Sequence, residues 1–249
     1  MTMSVHLDST VEIVGRMPEF PDGAVREEHS LAWSTLDHAK ETGGPIARAF
    51  TGALPAEWRT DDVAIQVKAT WLKRGWTAGP LGFHCDWLQT DDVGRRTDPD
   101  QEWPQAICAV VGGNAPTRFI VGSVTLPAVP TQADQSHTWE PHLRDCIERG
   151  EAREERIPPS TLFRFGPCSL HGRSRAAASG WRVILRAIKT PGRAPHVWNQ
   201  RWDSVTNGCV AATPEELERL GDLGDALATT WAFAHLQLDA ARAAREGSL

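Results

Sequence analysis

The 249-residue sequence contains no tyrosine, although it has eleven tryptophans. A chain without tyrosine cannot use a phenol as a catalytic acid, and its indoles must fill the amphipathic positions that tyrosine often takes. Long apolar runs are also missing, since no stretch approaches the roughly 18 residues of a membrane span. The first fifteen residues, MTMSVHLDSTVEIVG, lack a basic segment followed by an apolar one. We therefore expect a cytoplasmic protein with no membrane partner.

Paired cysteines and an excess of positive charge are missing as well. No CxxC pair occurs, which argues against a zinc ribbon and against a disulfide framework. The five cysteines are Cys85, Cys108, Cys146, Cys168 and Cys209. The net charge of −6 and the pI near 5.8 offer no basic surface to nucleic acid. We expect a small-molecule partner and no nucleic acid, and the sequence leaves the oligomeric state open.

Short alternating runs of apolar and polar residues begin at Asp62 and predict β-strands bounded by Gly, Pro and Asn turns. These runs are VAIQVKATWLKRGW, GPLGFHCDW, QAICAVVGG and RFIVGSVTLPAV. A polar segment over residues 131–159 interrupts them and reads as an insertion. The alternation that predicts strands returns in STLFRFGPCSLHGR and GWRVILRAIKT, and more weakly in VTNGCVA.

Helical patterns flank this strand-rich middle. Apolar spacing predicts helices over 24–42 and 45–53, a helix over about 140–149 within the insertion, and a long helical stretch after Thr213 and Pro214. Helices that do not alternate with strands argue against a doubly wound sheet and favour a β-sandwich or jelly roll. We predict one domain over 1–249, mainly β, with N-terminal helices, the insertion near 131–159 and a C-terminal helical segment.

The stretch LGFHCDWLQT places a histidine and an aspartate two positions apart. In a β-strand His84 and Asp86 would project from one face, with Cys85 on the other. His171 follows the insertion and supplies a third ligand. Two histidines and one carboxylate form the facial set that leaves three positions open on a ferrous ion.

Arg182 lies eleven positions after His171. The order HxD, a long interval, a distal histidine and then this arginine resembles the Fe(II)/2-oxoglutarate-dependent dioxygenases, in particular the small-molecule oxygenases similar to phytanoyl-CoA hydroxylase. The resemblance implies a double-stranded β-helix, which is a cupin-like jelly-roll barrel. It also implies Fe(II) bound by His84, Asp86 and His171, which makes these three residues catalytic, with 2-oxoglutarate and dioxygen as co-substrates.

The far carboxylate of 2-oxoglutarate needs a buried cation with a bidentate fork, which arginine supplies better than lysine. The family's interval favours Arg182 for this role, with Arg186 as the second candidate. Lys68 or Thr70, on a neighbouring predicted strand, is expected to hold the co-substrate or the substrate. The presence of Asp86 disfavours halogenation, because the related halogenases resemble this pattern with a small residue at that position.

The loop after the metal pair carries the candidates for substrate contact, Trp87, Gln89, Asp91 and Asp92, although a solvated hairpin loop would read the same way. If the aspartates face the pocket, they favour a cationic or polyhydroxylated substrate. We expect oxidation of a small polar metabolite, for example an amino sugar or an amino acid. Hydroxylation is the default outcome, and desaturation and ring closure stay open. Abundant alanine and arginine with few lysines suits a G+C-rich bacterium, and the resemblance then implies antibiotic biosynthesis, because enzymes of this family often modify antibiotics in such bacteria.

Two other functions fit the same residues. A non-enzymatic cupin-like protein would use the three ligands for a structural or sensory metal or another ligand. A zinc or manganese enzyme would hydrolyse or isomerise its substrate, but Arg182 would then have no role. Turnover of 2-oxoglutarate separates these alternatives from an oxygenase.

Overall fold

The computed structural model describes residues 4–72, 74–75, 77–78, 82–86, 104–112, 115–129, 132–189 and 197. Four α-helices lie in these ranges: α1 (Asp22–Glu27), α2 (Leu36–Thr42), α3 (Pro45–Ala53) and α4 (Gln132–Glu148). The strands that lie in them are β1 (Ser4–Ser9), β2 (Glu12–Arg16), β3 (Leu31–Ser34), β4 (Val63–Leu72), β5 (Phe83–His84), β6 (Gln105–Val111), β7 (Thr117–Pro127), β8 (Ala152–Arg156), β9 (Thr161–Phe165), β10 (His171–Arg173) and β11 (Gly180–Lys189). None of the described helices is both long and apolar enough to cross a membrane.

The strands form two antiparallel sheets. The first sheet has the order β1-β7-β10-β5, with β8 also paired to β7, and the second has the order β2-β9-β6-β11-β4-β3. The prediction of a mainly β protein is therefore confirmed. Within the described ranges no strand pairs with both sheets, so these strands do not close into a barrel and the jelly-roll barrel stays a prediction.

Strand β11 lies at the centre of the second sheet and separates two environments. Val183, Leu185 and Ala187 point to one face, where they are fully buried against an apolar cluster that includes residues of α1, α2 and α3. Arg182 and Arg186 alternate with them and point to the opposite face. The helices thus cover the outer face of this sheet, and the arginines face inward.

Aromatic side chains pack between the two sheets. Phe119 of β7 contacts Phe163 and Phe165 of β9, with ring centroids 5.5 Å apart in each pair. On the other side of the first sheet, Trp139 of α4 is buried against residues of β1, β5 and β7. Helix α4 therefore covers the outer face of the first sheet, and the inner faces of both sheets share an aromatic layer.

The N-terminus of α3 is held by a buried acid. Glu28 is 1% exposed, and its carboxylate accepts hydrogen bonds from the backbone N–H groups of Gly44, Ile46 and Ala47 at 2.7, 2.7 and 3.2 Å. These donors have no partner within the helix, so a carboxylate that satisfies them also complements the helix dipole. Glu28 fixes the start of α3 against the second sheet.

Several elements differ from the sequence prediction. The helix predicted over 24–42 is wrong, because the segment breaks into α1, β3 and α2, and β3 pairs with β4. Strands β1, β2 and β8 were not anticipated, while α3 covers the predicted range 45–53. The helix in the insertion is longer than predicted and begins at Gln132. The C-terminal helical segment and the strand at VTNGCVA lie outside the described residues, and the single-domain prediction stays a prediction.

Candidate metal centre

The two candidate histidine ligands are direct neighbours across two paired strands. His171 of β10 lies opposite His84 of β5, and their ring centroids are 4.6 Å apart. Strand β5 ends at His84, so Asp86 lies in the turn that follows rather than in the strand. The turn, and not the alternation of a strand that we predicted, brings Asp86 beside His84.

The three side chains converge on one point. The Nε2 atoms of His84 and His171 lie 3.8 and 3.5 Å from the carboxylate oxygens of Asp86. One potential ligand atom from each residue lies within 4.8 Å of the other two. These separations exceed those of direct hydrogen bonds, whereas nitrogen and oxygen ligands surround a metal at about 2.0–2.2 Å. The residues therefore have the spacing that an ion between them requires.

Backbone contacts set the orientation of the His171 ring. Its Nδ1 lies 3.0 Å from the carbonyl oxygen of Ser169, so Nδ1–H donates there and Nε2 is left to face Asp86. The hydroxyl of Ser169 in turn donates to the carbonyl of Thr10 at 2.6 Å. This chain of contacts fixes a nitrogen lone pair toward the point of convergence.

Burial keeps both imidazoles neutral. It lowers the pKa of His84 to about 3, with the neighbouring charge of His171 as the second cause. Burial also lowers the pKa of His171. A neutral imidazole is the form that binds a metal, so the environment favours the ligand state at neutral pH.

A cavity of about 350 Å³ lies between the sheets and contains the triad. Three arginines line it: Arg173 of β10, and Arg182 and Arg186 of β11. Arg186 Nη2 lies 3.3 Å from Asp86, while Arg182 is 3% exposed and donates from Nε to the carbonyl of Ala115 at 3.2 Å. The two arginines that the sequence offered for 2-oxoglutarate thus lie in different surroundings.

The other predicted site residues are placed as follows. Thr70 and Lys68 pair with Arg182 and Ile184, on the face of the second sheet that turns to the cavity, but neither is among the described residues that line it. Trp87, Gln89, Asp91 and Asp92 lie outside the described residues. Cys85 packs into the apolar cluster beneath α4, on the side away from the triad.

The cavity-wall residues that sequence reasoning missed include Arg173 and Cys108. Arg173 follows His171 by two positions in a strand, so the same alternation that relates Arg182 to Arg186 would have indicated it. Cys108 gave no signal, because it reads as one apolar residue of a buried strand. Burial raises the pKa of its thiol to about 11, which keeps it protonated.

Close backbone packing around the triad depends on two glycines. A Cβ at Gly172, between His171 and Arg173, would lie 2.8 Å from the carbonyl oxygen of Gly82. A Cβ at Gly82 would lie 2.1 Å from the carbonyl oxygen of Ser136, and Gly82 has a φ of +96°. Side chains at either position would push β5 away from β10 or from α4.

The chain matches no family model and no curated protein. Solved structures similar to it include EctD from S. alaskensis with 2-oxoglutarate and 5-hydroxyectoine, at 14% identity and a TM-score of 0.33 over 52% of this chain and 45% of EctD. An N-substituted L-amino acid dioxygenase from Burkholderia ambifaria matches at 14% identity and a TM-score of 0.37, over 74% of this chain and 81% of that one.

AviO1 from Streptomyces viridochromogenes matches at 12% identity and a TM-score of 0.39, over 77% of this chain and 94% of that one. The match to EctD spans less than half the length of that protein. Similarity at these identities and TM-scores assigns neither an activity nor a substrate to the chain.

Proposed function

We propose that the protein is an Fe(II)- and 2-oxoglutarate-dependent oxygenase that oxidises a C–H bond of a small polar metabolite. The observation that carries this proposal is the convergence of His84, Asp86 and His171 in a cavity that also contains buried arginines. Two histidines and one carboxylate with open positions are characteristic of non-haem Fe(II) oxygenases.

The order of the strands supports a double-stranded β-helix as the framework. From β4 to β11 the chain passes repeatedly between the two sheets, and only β7 and β8 follow one another within the same sheet. Such alternation winds a chain around a common interior, as in a jelly roll. We propose that this interior is the cavity, with ligands on the inward faces of β5 and β10 and arginines on the inward face of β11.

The residues fit an iron ion. His84 and His171 would bind through Nε2, and Asp86 would bind through one carboxylate oxygen. Arg186, 3.3 Å from Asp86 Oδ2, holds that carboxylate in place. The bound metal would supply coordination sites for the keto acid and for dioxygen, with one oxygen atom ending in succinate and the other in the product while carbon dioxide is released.

Arg182 is the residue that we propose for the far carboxylate of 2-oxoglutarate. It is buried, it lines the cavity, and its Nε bond to Ala115 fixes the direction of the guanidinium. Arg186 is the weaker candidate, because its guanidinium already contacts Asp86. Thr70 supports Arg182 from the neighbouring strand, since its hydroxyl lies 3.4 Å from the Arg182 carbonyl oxygen.

The experiment that tests this proposal measures succinate release from 2-oxoglutarate in air with Fe(II). The wild-type protein should release succinate, and a chelator should stop it. Removing one side of a buried charge pair costs about 3–5 kcal/mol, so Arg182→Ala should raise the apparent KM for 2-oxoglutarate by about two to four orders of magnitude.

The matched control is Arg164→Ala, which removes an arginine paired with Glu12 on the second sheet and outside the cavity wall. It should leave the KM for 2-oxoglutarate unchanged. No metal-dependent succinate release from wild-type protein would exclude the oxygenase and leave a metal- or ligand-binding protein. A normal KM for Arg182→Ala, with Arg186→Ala impaired instead, would reverse the assignment of the two arginines.

The substrate class is proposed in the same way. The cavity volume of about 350 Å³ is at the small end of ligand pockets, which fits a metabolite of the size of an amino acid or an amino sugar. Hydroxylation, with desaturation or ring closure as variants, and a place in natural-product biosynthesis belong to this proposal. Succinate release that responds to peptides or oligonucleotides alone would contradict the small-molecule substrate.

A further inference from the structure

Arg173 occupies a position that relates it directly to the metal centre. It follows His171 by two residues on β10, so both side chains point to the same face of the first sheet. It lines the same cavity and is half-buried. Its cross-strand neighbour Thr117 also lines the cavity. The Arg173 guanidinium therefore lies beside the metal ligands. It comes from the first sheet, whereas Arg182 comes from the second.

The described wall of the cavity is strongly cationic. It carries three arginines and one carboxylate, that of Asp86, while both histidines are neutral. A divalent metal bound beside Asp86 leaves one positive charge, and the arginines add three more. The two carboxylates of 2-oxoglutarate remove two of these charges. Within the described wall, the loaded cavity therefore has an excess of two positive charges, which disfavours a cationic substrate and favours an anionic one.

The arginines also divide between the sheets. Arg186 is 3.3 Å from Asp86 and Arg182 is the proposed partner of 2-oxoglutarate, and both belong to the second sheet. Arg173 belongs to the first sheet. An anion at Arg173 would therefore not occupy the positions proposed for the metal-bound carboxylate or for the co-substrate. A guanidinium fork holds a carboxylate through two parallel hydrogen bonds, which would orient the substrate as well as bind it.

We propose that the substrate carries an anionic group, such as a carboxylate, and that Arg173 binds this group and so determines substrate specificity. The inference rests on the proposed oxygenase function and narrows its substrate class. It favours an amino acid or another organic acid over an amino sugar. It also opposes the preference for a cationic substrate that Asp91 and Asp92 suggested in the sequence. Those two residues lie outside the described part of the chain.

The test uses pairs of probes that differ in charge but hardly in size. Aliphatic and aromatic carboxylates, their primary amides and the corresponding amines are titrated into protein loaded with Zn(II) and saturated with 2-oxoglutarate, and binding is followed by ligand-observed NMR. Carboxylates should bind at least about tenfold more tightly than their amides, and the amines should not bind. In Arg173→Gln the preference for carboxylates should disappear.

The matched control is Arg175→Gln, because Arg175 is exposed and lies two residues further along the chain. This variant should keep the carboxylate preference. Equal binding of amides, preferential binding of amines, or carboxylate binding that survives in Arg173→Gln would overturn the inference. Carboxylates that bind only by releasing 2-oxoglutarate, which the same spectra show, would overturn it too.

A second readout separates this inference from the proposed function. Succinate release by the wild-type protein is measured with Fe(II) in air, first without any probe and then with each probe. Faster release with carboxylates than with amides supports the inference. Release that occurs without any such preference would overturn the anionic substrate alone, whereas no release under any condition would overturn the oxygenase.

Discussion

Among the described residues, Glu28 and Asp86 are two carboxylates that are largely shielded from solvent, and their partners differ. Glu28 accepts backbone N–H groups at 2.7–3.2 Å, within ordinary hydrogen-bond distance. The Asp86 oxygens lie 3.3–3.8 Å from nitrogen atoms of His84, His171 and Arg186. A carboxylate satisfied at close range by a helix terminus serves the fold. A carboxylate surrounded at longer range by metal-binding side chains has room for an ion, and the comparison separates a structural acid from a functional one.

The largest expected effect is the loss of turnover in Asp86→Ala. Removing this carboxylate takes away one of three metal ligands, so succinate release should fall below detection. The fold should persist, because Asp86 lies in a turn outside the described helices and strands. Succinate formation and urea unfolding, measured on one preparation, check both statements. Full turnover in this variant would remove Asp86 from the ligand set.

Glu28→Ala should have the opposite pattern. The substitution leaves three buried N–H groups of the Gly44–Ala47 segment without their acceptor, and each unsatisfied group costs about 1–3 kcal/mol. We expect the free energy of unfolding to fall by about 3 kcal/mol or more, measured by urea denaturation. The neighbouring Glu27 is exposed, so Glu27→Ala should change it little. A turnover defect in Glu28→Ala that is not explained by unfolded protein would erase the distinction between the two acids.

Metal binding should also distinguish Asp86 from Glu28, through a smaller change in stability. An ion present at about a hundred times its Kd stabilises the protein that binds it by about 2.7 kcal/mol. Thermal unfolding without dioxygen should therefore show a higher Tm with Fe(II) for the wild-type protein and for Glu28→Ala. Asp86→Ala should show no such increase. An equal increase in all three proteins would indicate metal binding elsewhere in the chain.

Per pH unit, the pH dependence of stability is the smallest of these effects. The pKa of His84 lies at about 3 in the folded protein and at about 6.5 when it is exposed, so the unfolded chain binds the extra proton between these values. Stability of the metal-free protein should therefore decrease as the pH falls from 6.5 toward 3, by up to about 1.4 kcal/mol per pH unit for this imidazole. The loss should be shallower in His84→Gln, as measured by urea denaturation at a series of pH values.

Strand positions were predictable where one face of the strand is buried. Strands β4, β6, β7, β9 and β11 follow visible apolar alternation, and α3 follows Gly44 and Pro45 as a helix start does. Strand β8 reads AREER, which is almost entirely charged, so its pairing with β7 had no hydrophobic signal. The helix predicted over 24–42 is wrong because Leu31 belongs to β3 and is buried by the pairing of β3 with β4. The spacing of apolar residues alone had indicated that Leu31 lies on one face of a helix.

The metal centre was predictable in its members but not in its geometry. Residue types and intervals suggested His84, Asp86 and His171. The strand register that places the two histidines opposite each other depends on the tertiary structure and is not visible in the sequence. Arg186 illustrates which part of the site the sequence does not predict. Alternation placed it on the face of Arg182, but only the fold shows that it contacts Asp86.

The short strand His171–Arg173 also imposes a length on what binds beside it. Two residues of β-strand advance about 6.6 Å, and this advance is a property of the backbone rather than of side-chain rotamers. Gly172, between the two side chains, admits no Cβ without moving the adjoining strand, so this part of the backbone has little freedom to shift. If a metal is bound by the triad and the substrate by Arg173, as we propose, this fixed spacing would set the distance between the metal and the anchored group. The carbon that is oxidised would then be determined by its distance from that group.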